Sequence, residues 1–349
     1  MTSLTLTIDL EAIAANWRAL DRLSAATVQT AVVVKADAYG LGAARVVHAL
    51  AVAGARRFFV AHAAEGIALR KVLGPGPQIG ILTGHLSGDT ELIRDLDLTP
   101  MLSSIEQITR HLEALPGHPF GVQLDSGMNR LGVKPSDWQA IAPILLAAEP
   151  ALLMSHLACG DDPEHPANPA QLAAFHAMTD GTGLPRSLSA TGGVLRGPAY
   201  HFDLTRPGIG LYGGLPFADA QPVVGLSLPV IQTRHLEPGE SVGYGCTWVA
   251  KRPTTAATLL GGYADGLPRS LSNRAILWAG NQACPLIGRV SMDLITVDVT
   301  DLDEIPLKLD LLGPEQGIDS LANFAGTIGY ELLATLGQRF DRQYQEVSA

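Results

Sequence analysis

Residues 31–42 read AVVVKADAYGLG, and the fold is decided by how this stretch is read. The β-branched run Val32, Val33, Val34 has the pattern of a strand buried on both faces, as in a parallel sheet. Lys35 sits where that run ends, and Tyr39 follows four residues on, just before glycines. Burial lowers a lysine's proton affinity and makes its amine a better nucleophile toward carbonyls. Capture of an aldehyde cofactor as a Schiff base is one use of such a group. An ion-paired lysine at a strand end is the other reading of the same residues.

Outward from this stretch, short apolar runs alternate with helical patterns as far as about residue 220. The strand candidates are Thr30–Val34, Arg57–Ala61, Gln78–Leu82, Leu98–Leu102, Phe120–Leu124, Leu152–His156, Arg186–Ala190 and Phe202–Thr205. Helix-like segments lie between most of them, and Glu11–Leu23 adds a helix before the first, with Asp9 placed to cap it. Eight strands joined by crossovers predict an α/β fold, an eight-stranded TIM-type (β/α)8 barrel, in preference to an open doubly wound sheet. Polar and glycine residues collect just after the strands, where such a barrel keeps its chemistry. After about Pro222 the texture changes to short β-rich segments separated by turns, among them Pro285–Val290. Residues 1–222 are therefore read as the barrel and 223–349 as a mainly β domain. The alternating Leu4–Ile8, within residues 1–9, suits an extra strand of that second domain.

Composition narrows the class. Of 349 residues, 47% are hydrophobic and 17% charged, which describes a globular chain with a generous interior. A net charge of −10 argues against nucleic acid or an anionic membrane as partner. An anionic cofactor would then need local positive groups or backbone amides. Cys159, Cys246 and Cys284 form no CxxC motif and fit a reducing compartment. Met1–Leu10 alternates polar and apolar residues instead of building the apolar core of a signal peptide, and no run reaches membrane-spanning length. A cytoplasmic protein is expected. The cluster Asp161, Asp162, Glu164 and His165 is broken by prolines and reads as a solvated loop, so no metal site is expected.

Several motifs follow in order. GIGLYG (Gly208–Gly213) matches G-x-G-x-x-G but lacks the helix a dinucleotide site needs, so its amides suit a phosphate only. DSGMNRLG (Asp125–Gly132) places Arg130 in a glycine-flanked loop; His156 ends the sixth strand and Arg206 the eighth. VGYG (Val242–Gly245), GYADG (Gly262–Gly266), RVSMD (Arg289–Asp293) and TIGYE (Thr327–Glu331) set a Tyr or a Met-Asp pair beside turn residues. Singly each is an ordinary sequence. In this order and spacing, from Leu6 to Arg342, they strongly resemble the alanine racemase family, whose fold is an eight-stranded α/β barrel followed by a β domain.

The resemblance implies a pyridoxal 5′-phosphate-dependent isomerase that interconverts L- and D-alanine. Lys35 would carry the cofactor and act as base on one face of the substrate. Tyr244 from the partner subunit of a homodimer would act on the other, since inversion needs proton removal and return on opposite faces. Arg206 would meet the ring nitrogen without protonating it, which limits transamination. His156 would link Arg206 and Tyr244, and Arg130 would contact the phenolic oxygen and help bind substrate. Tyr39, Thr191, the amides of Gly208 and Ile209, and Tyr330 would hold the phosphate. Met292, Asp293 and Tyr263 would contact or confine the substrate, again in a composite site. Gln123 stands where the family often has a carbamylated lysine that orients the loop arginine, so a bound anion or an amide hydrogen bond would have to serve instead. Ala190-Thr191, Asp37 and Leu41 also depart from common family residues, and none removes a catalytic group. The alternatives are a barrel enzyme of broader or different specificity (a serine or other amino-acid racemase, a decarboxylase) and a non-catalytic carrier of the cofactor. D-alanine supply for peptidoglycan and D-alanine breakdown are both compatible with these residues.

Overall fold

In the computed structural model, residues 4–346 are described; Met1–Ser3, at the start of the Met1–Leu10 pattern, lie outside them. The chain divides into two units, one of residues 13–211 with 215–220 and one of the remaining described residues.

The first unit is the alternating one. Seven parallel strands follow one another in sheet order as in sequence: Val32–Val33, Arg57–Val60, Gln78–Ile81, Leu98–Leu102, Gly121–Gln123, Leu152–Met154 and Arg186–Ser187. A separate parallel pair joins Gln29–Thr30 to Leu204–Thr205. Backbone bonds continue from that pair in both directions. Ala31 N donates to Thr205 O at 2.8 Å and Val33 N to Pro207 O at 3.0 Å, while Arg206 N donates to Ser189 O at 2.8 Å. The strands are shorter than their apolar runs because their last residues leave the ladder for the loops that carry polar groups. Leu102, Phe120, Val122, Leu124, Leu153 and Phe175 are among the residues that fill the core on one side of the sheet. Helices such as Ala43–Ala53, Glu65–Leu73 and Ala167–Thr179 connect the strands. Asp9 Oδ1 accepts from Ala12 N at 2.8 Å and so caps the helix Leu10–Asp21.

The second unit is built on an eight-stranded mixed sheet. Its long strand Val224–Leu236 pairs antiparallel with Thr5–Asp9, Lys308–Leu312 and Thr254–Leu260. Thr5–Asp9 also pairs parallel with Asp341–Gln345. Within Pro285–Val290 the regular strand, Gln282–Pro285, ends at Pro285; Leu286 still bridges Val297 and Ile287 N donates to Thr296 O at 2.8 Å before the chain turns at Gly288, whose φ is +77°. Among the described residues no helix is long and apolar enough to cross a membrane.

A buried histidine chain ties the loop after the third parallel strand, Gln78–Ile81, to the helix Ile105–Ala114. His111 Nε2 faces the carbonyl of His118 at 3.2 Å, so it must carry a proton and leave Nδ1 as acceptor. His85 Nδ1, 3.2 Å from His111 Nδ1, must then be the donor, and His85 Nε2 accepts from Thr90 Oγ1 at 2.9 Å. Both rings are held neutral. Burial, with Arg110 and His118 nearby, lowers the His85 pKa despite Asp89. Burial brings His111 down to about 4, helped by His85 and His118 and opposed by its bond to the His118 carbonyl. A ring that binds its proton less readily when folded makes acid favour unfolding. This contribution is complete above about pH 6.5 and is lost as pH falls toward 4. The dependence of unfolding free energy on pH between 6.5 and 4 should therefore be shallower in His111→Gln, by about one proton taken up on unfolding. An unchanged slope would show that this ring does not contribute to acid sensitivity.

Candidate active site

At the strand ends of the first unit, Lys35 opens an unusual turn. Ala36, Asp37, Ala38 and Tyr39 all have φ between +53° and +56°. This is a left-handed turn of non-glycine residues, which costs about 1–2 kcal/mol for each one. Neither alanine signals such a conformation in sequence. Backbone bonds close it, from Ala38 N to Val34 O at 3.0 Å and from Gly40 N to Ala36 O at 2.8 Å. Side chains clamp both ends. Glu65 Oε1 accepts from Ala36 N at 2.8 Å, and Asp37 Oδ1 accepts from Ala43 N at 2.7 Å. The turn buries Tyr39 and leaves Lys35 half-buried, its amine without a hydrogen-bond partner among the described residues. Burial lowers the Lys35 pKa and the Arg130 charge lowers it further, against the opposing pull of Glu65.

Tyr39 reaches the loop after the strand Leu204–Thr205. A Cβ on Gly208 would lie 2.5 Å from the Tyr39 hydroxyl, so any side chain there would have to displace Tyr39. The N–H groups of Gly208 and Gly210 donate to Thr191 Oγ1 at 3.1 and 3.3 Å. Tyr39, Thr191 and these amides form one polar cradle. Gly210, and not Ile209, supplies the second amide directed at Thr191.

Arg206 is buried. It donates to Ser187 Oγ and, at 2.7 Å, to the carbonyl of Ser155. Burial brings its pKa down to about 10, which leaves it charged at neutral pH. His156 is brought down to about 3 by burial and then by Arg206, Arg130 and Lys35, and so stays neutral. No hydrogen bond joins His156 to Arg206 among the described residues; the expected link between them is electrostatic only. Gln171 Nε2 holds the His156 carbonyl at 3.0 Å. The DSGMNRLG loop is shaped by Asp125 Oδ1, which accepts from Gly127 N and Asn129 N at 2.9 and 3.1 Å. Arg130 is exposed at its tip and makes no bond to the buried Gln123. Its effect on Lys35 and His156 is through charge. The strand ends thus gather Lys35, Tyr39, Arg130, His156, Thr191, Arg206, Gly208 and Ile209. Ser155, Ser187, Gln171 and Glu65 were not singled out from sequence. They are single polar residues in apolar or helical surroundings, with no spacing that marks them.

Tyr244, Tyr263, Met292, Asp293 and Tyr330 lie in the second unit. Tyr244 is 70% exposed, on a turn flanked by Gly243 and Gly245 with φ of +73° and +72°. A Cβ on Gly245 would meet the Arg289 guanidinium at 2.7 Å. Tyr263 and Met292 are also exposed, and their turns are bound together: Tyr263 N donates to Ser291 O, and Ala264 N to Met292 O, both at 3.0 Å. Asp265 is fully buried, accepts from Gly262 N at 2.9 Å, and receives two bonds of 2.7 Å from Arg339. Arg339 also donates to Asp293 at 2.7 Å, so the Asp293 carboxylate is committed within its own unit. Arg339→Met would leave the buried Asp265 short of two charge-assisted bonds and should lower the midpoint of denaturant unfolding. A midpoint equal to that of the unsubstituted protein would mean that this staple carries no weight.

Residues 8–216 match the family described as Alanine racemase, N-terminal domain, and residues 223–344 the one described as Alanine racemase, C-terminal domain. The chain is 66% identical over all 349 residues, 100% of both chains, to an alanine racemase of Cereibacter sphaeroides (strain ATCC 17029 / ATH 2.4.9). It is 64% identical over 344 residues, 99% of each chain, to that of Dinoroseobacter shibae. Among solved structures, the alanine racemase from Bartonella henselae with covalently bound pyridoxal phosphate is 36% identical with a TM-score of 0.94, covering 99% of this chain and 100% of that one. The biosynthetic alanine racemase from Pseudomonas aeruginosa is 38% identical with a TM-score of 0.92 over the same shares. With both of its parts matched in order and relatives this similar over their full length, the chain belongs to the alanine racemase family.

Proposed function

We propose that this protein interconverts L- and D-alanine with pyridoxal 5′-phosphate, using Lys35 and Tyr244 as its two bases. The observation that carries the reading is Lys35. Its half-buried amine, of lowered proton affinity and without a hydrogen-bond partner among the described residues, stands at a strand end near Arg130 and His156. The residues fit the cofactor. A phosphate suits the cradle of Tyr39, Thr191 and the Gly208 amide, which any side chain at 208 would fill. Ile209 and Tyr330 complete its holders in this reading. The positive groups near Lys35 suit a polyanion on a chain whose net charge is −10.

When bound, the cofactor withdraws electrons from the substrate's Cα–H bond and so acidifies that proton. The protein's part is to place groups that take and return it. Lys35, with its pKa lowered, holds more of its amine in the neutral form that accepts a proton. Arg206 would hold the ring nitrogen by a hydrogen bond and would keep its own proton, since a guanidinium remains charged here. His156 stays neutral and serves as a fixed dipole, not as a proton carrier. Tyr244 gives or takes the proton on the opposite face. Tyr244 is 70% exposed, which leaves it accessible to a second copy's site. Met292, Asp293 and Tyr263 border the substrate in this composite site, with Arg130 near its carboxylate.

In the same reading the first unit closes as an eight-stranded barrel. The bonds that Leu204–Thr205 and its neighbours make toward both Gln29–Val33 and Arg186–Ser189 support this. The domain boundary falls near residue 222, residues 1–9 join the β domain, the assembly is a homodimer, and the compartment is the cytoplasm. The D-alanine formed is a precursor suited to peptidoglycan.

Borohydride reduction of the holoprotein followed by peptide mapping should place the pyridoxyl group on Lys35. A label on Lys71, Lys134, Lys251 or Lys308 would overturn the assignment. Inactive Lys35→Ala and Tyr244→Phe chains, mixed under conditions of subunit exchange, should regain part of the alanine racemase activity. Continued inactivity after demonstrated exchange would exclude sites shared between subunits.

A further inference from the structure

The carboxylate of Glu65 bridges the residue that follows Lys35 and the end of the neighbouring strand. Its Oε1 accepts from Ala36 N at 2.8 Å, and its Oε2 accepts from Ala61 N at 2.7 Å and His62 N at 3.5 Å. Ala61 directly follows the strand Arg57–Val60, and Glu65 opens the helix Glu65–Leu73. One side chain therefore ties together the first two strand ends and the left-handed turn. The bond to Ala36 is made to the peptide that links it to Lys35, so it sets the direction in which the Lys35 backbone leaves the sheet. We infer that Glu65 is a positioning residue for Lys35, aiming its amine by holding this peptide and supplying a nearby negative charge. The inference rests on the reading of Lys35 as the cofactor-bearing lysine.

The charge matters because of its surroundings. The groups acting on the Lys35 amine are Arg130 and Glu65, and Lys35 in turn acts on His156. Burial and Arg130 favour the neutral amine, and Glu65 favours the ammonium form. Removing the carboxylate while keeping its shape should free Lys35 of its proton at lower pH. It should also loosen the turn, because an amide can accept only one of the two bonds and turns an N–H group toward the other donor.

The test uses the full chain freed of cofactor. Acetic anhydride modification of Lys35 and of the exposed Lys71 is mapped across pH, and pyridoxal 5′-phosphate capture is timed at a pH where Lys35 is neutral. In Glu65→Gln the Lys35 midpoint should fall, and capture should slow by about fivefold or more. Lys71 should be unchanged. Glu65→Asp keeps the charge on a shorter arm, so it should slow capture and move the midpoint less. Profiles and capture rates equal to those of the unsubstituted chain overturn the inference. So does a loss of folding in Glu65→Gln that affects Lys35 no more than Lys71, since the carboxylate is then only a brace. Capture on a different lysine would instead refute the Lys35 reading, while the Lys35 midpoint still reports on Glu65.

Discussion

The site depends on what happens to the backbone immediately after a buried strand. Val32–Val33 runs inside the sheet, and the chain must then expose an amine and fold back to bury Tyr39 within four residues. A right-handed turn would have been the low-energy choice for L-residues. The chain takes the left-handed one from Ala36 to Tyr39 and holds it at both ends through Glu65 and Asp37. Backbone strain persists only where its surroundings over-determine it. Here the result is a half-buried lysine whose amine has no hydrogen bond among the described residues, and a tyrosine hydroxyl seated against Gly208.

The electrostatics follow from that placement. Arg130 acts on Lys35, and Arg206, Arg130 and Lys35 act on His156, while burial pushes Lys35, His156 and Arg206 toward their neutral forms. The three respond differently because their starting points differ. Arg206 begins so high that it stays charged, His156 is neutral well above its lowered pKa, and Lys35 is the one whose balance can be tuned. A site that must hold an anionic cofactor, keep one amine reactive and avoid protonating a ring nitrogen is served by this division.

Much of the architecture was legible in the sequence. The strand and helix alternation, the Asp9 cap and the separate β-rich region follow from periodicity and turn chemistry, which are local. The observed strands end earlier than the apolar pattern, because apolar character continues into residues such as Ala61 and Ala190, beyond the last strand residues Val60 and Ser187. The left-handed turn was not legible, since Ala36 and Ala38 carry no preference for positive φ. Nor was the Arg339 bridge, whose partners Asp265 and Asp293 are far apart in the chain and meet only once the sheet is formed. Arg130 was placed from its loop, and the structure puts it at the exposed tip with no bond to Gln123. A loop's glycine pattern shows that it turns, not where its side chains point.

The central claim is that two bases, Lys35 and Tyr244, work on opposite faces of the same Cα. Exchange of the Cα proton in deuterium oxide, followed by NMR on each alanine enantiomer, tests it most directly. In Tyr244→Phe, one enantiomer should still exchange its proton through Lys35 while inversion falls far more than exchange, because the proton can return only to the face it left. If inversion and exchange fall together for both enantiomers, or if inversion continues at its original rate, the two-base account is contradicted.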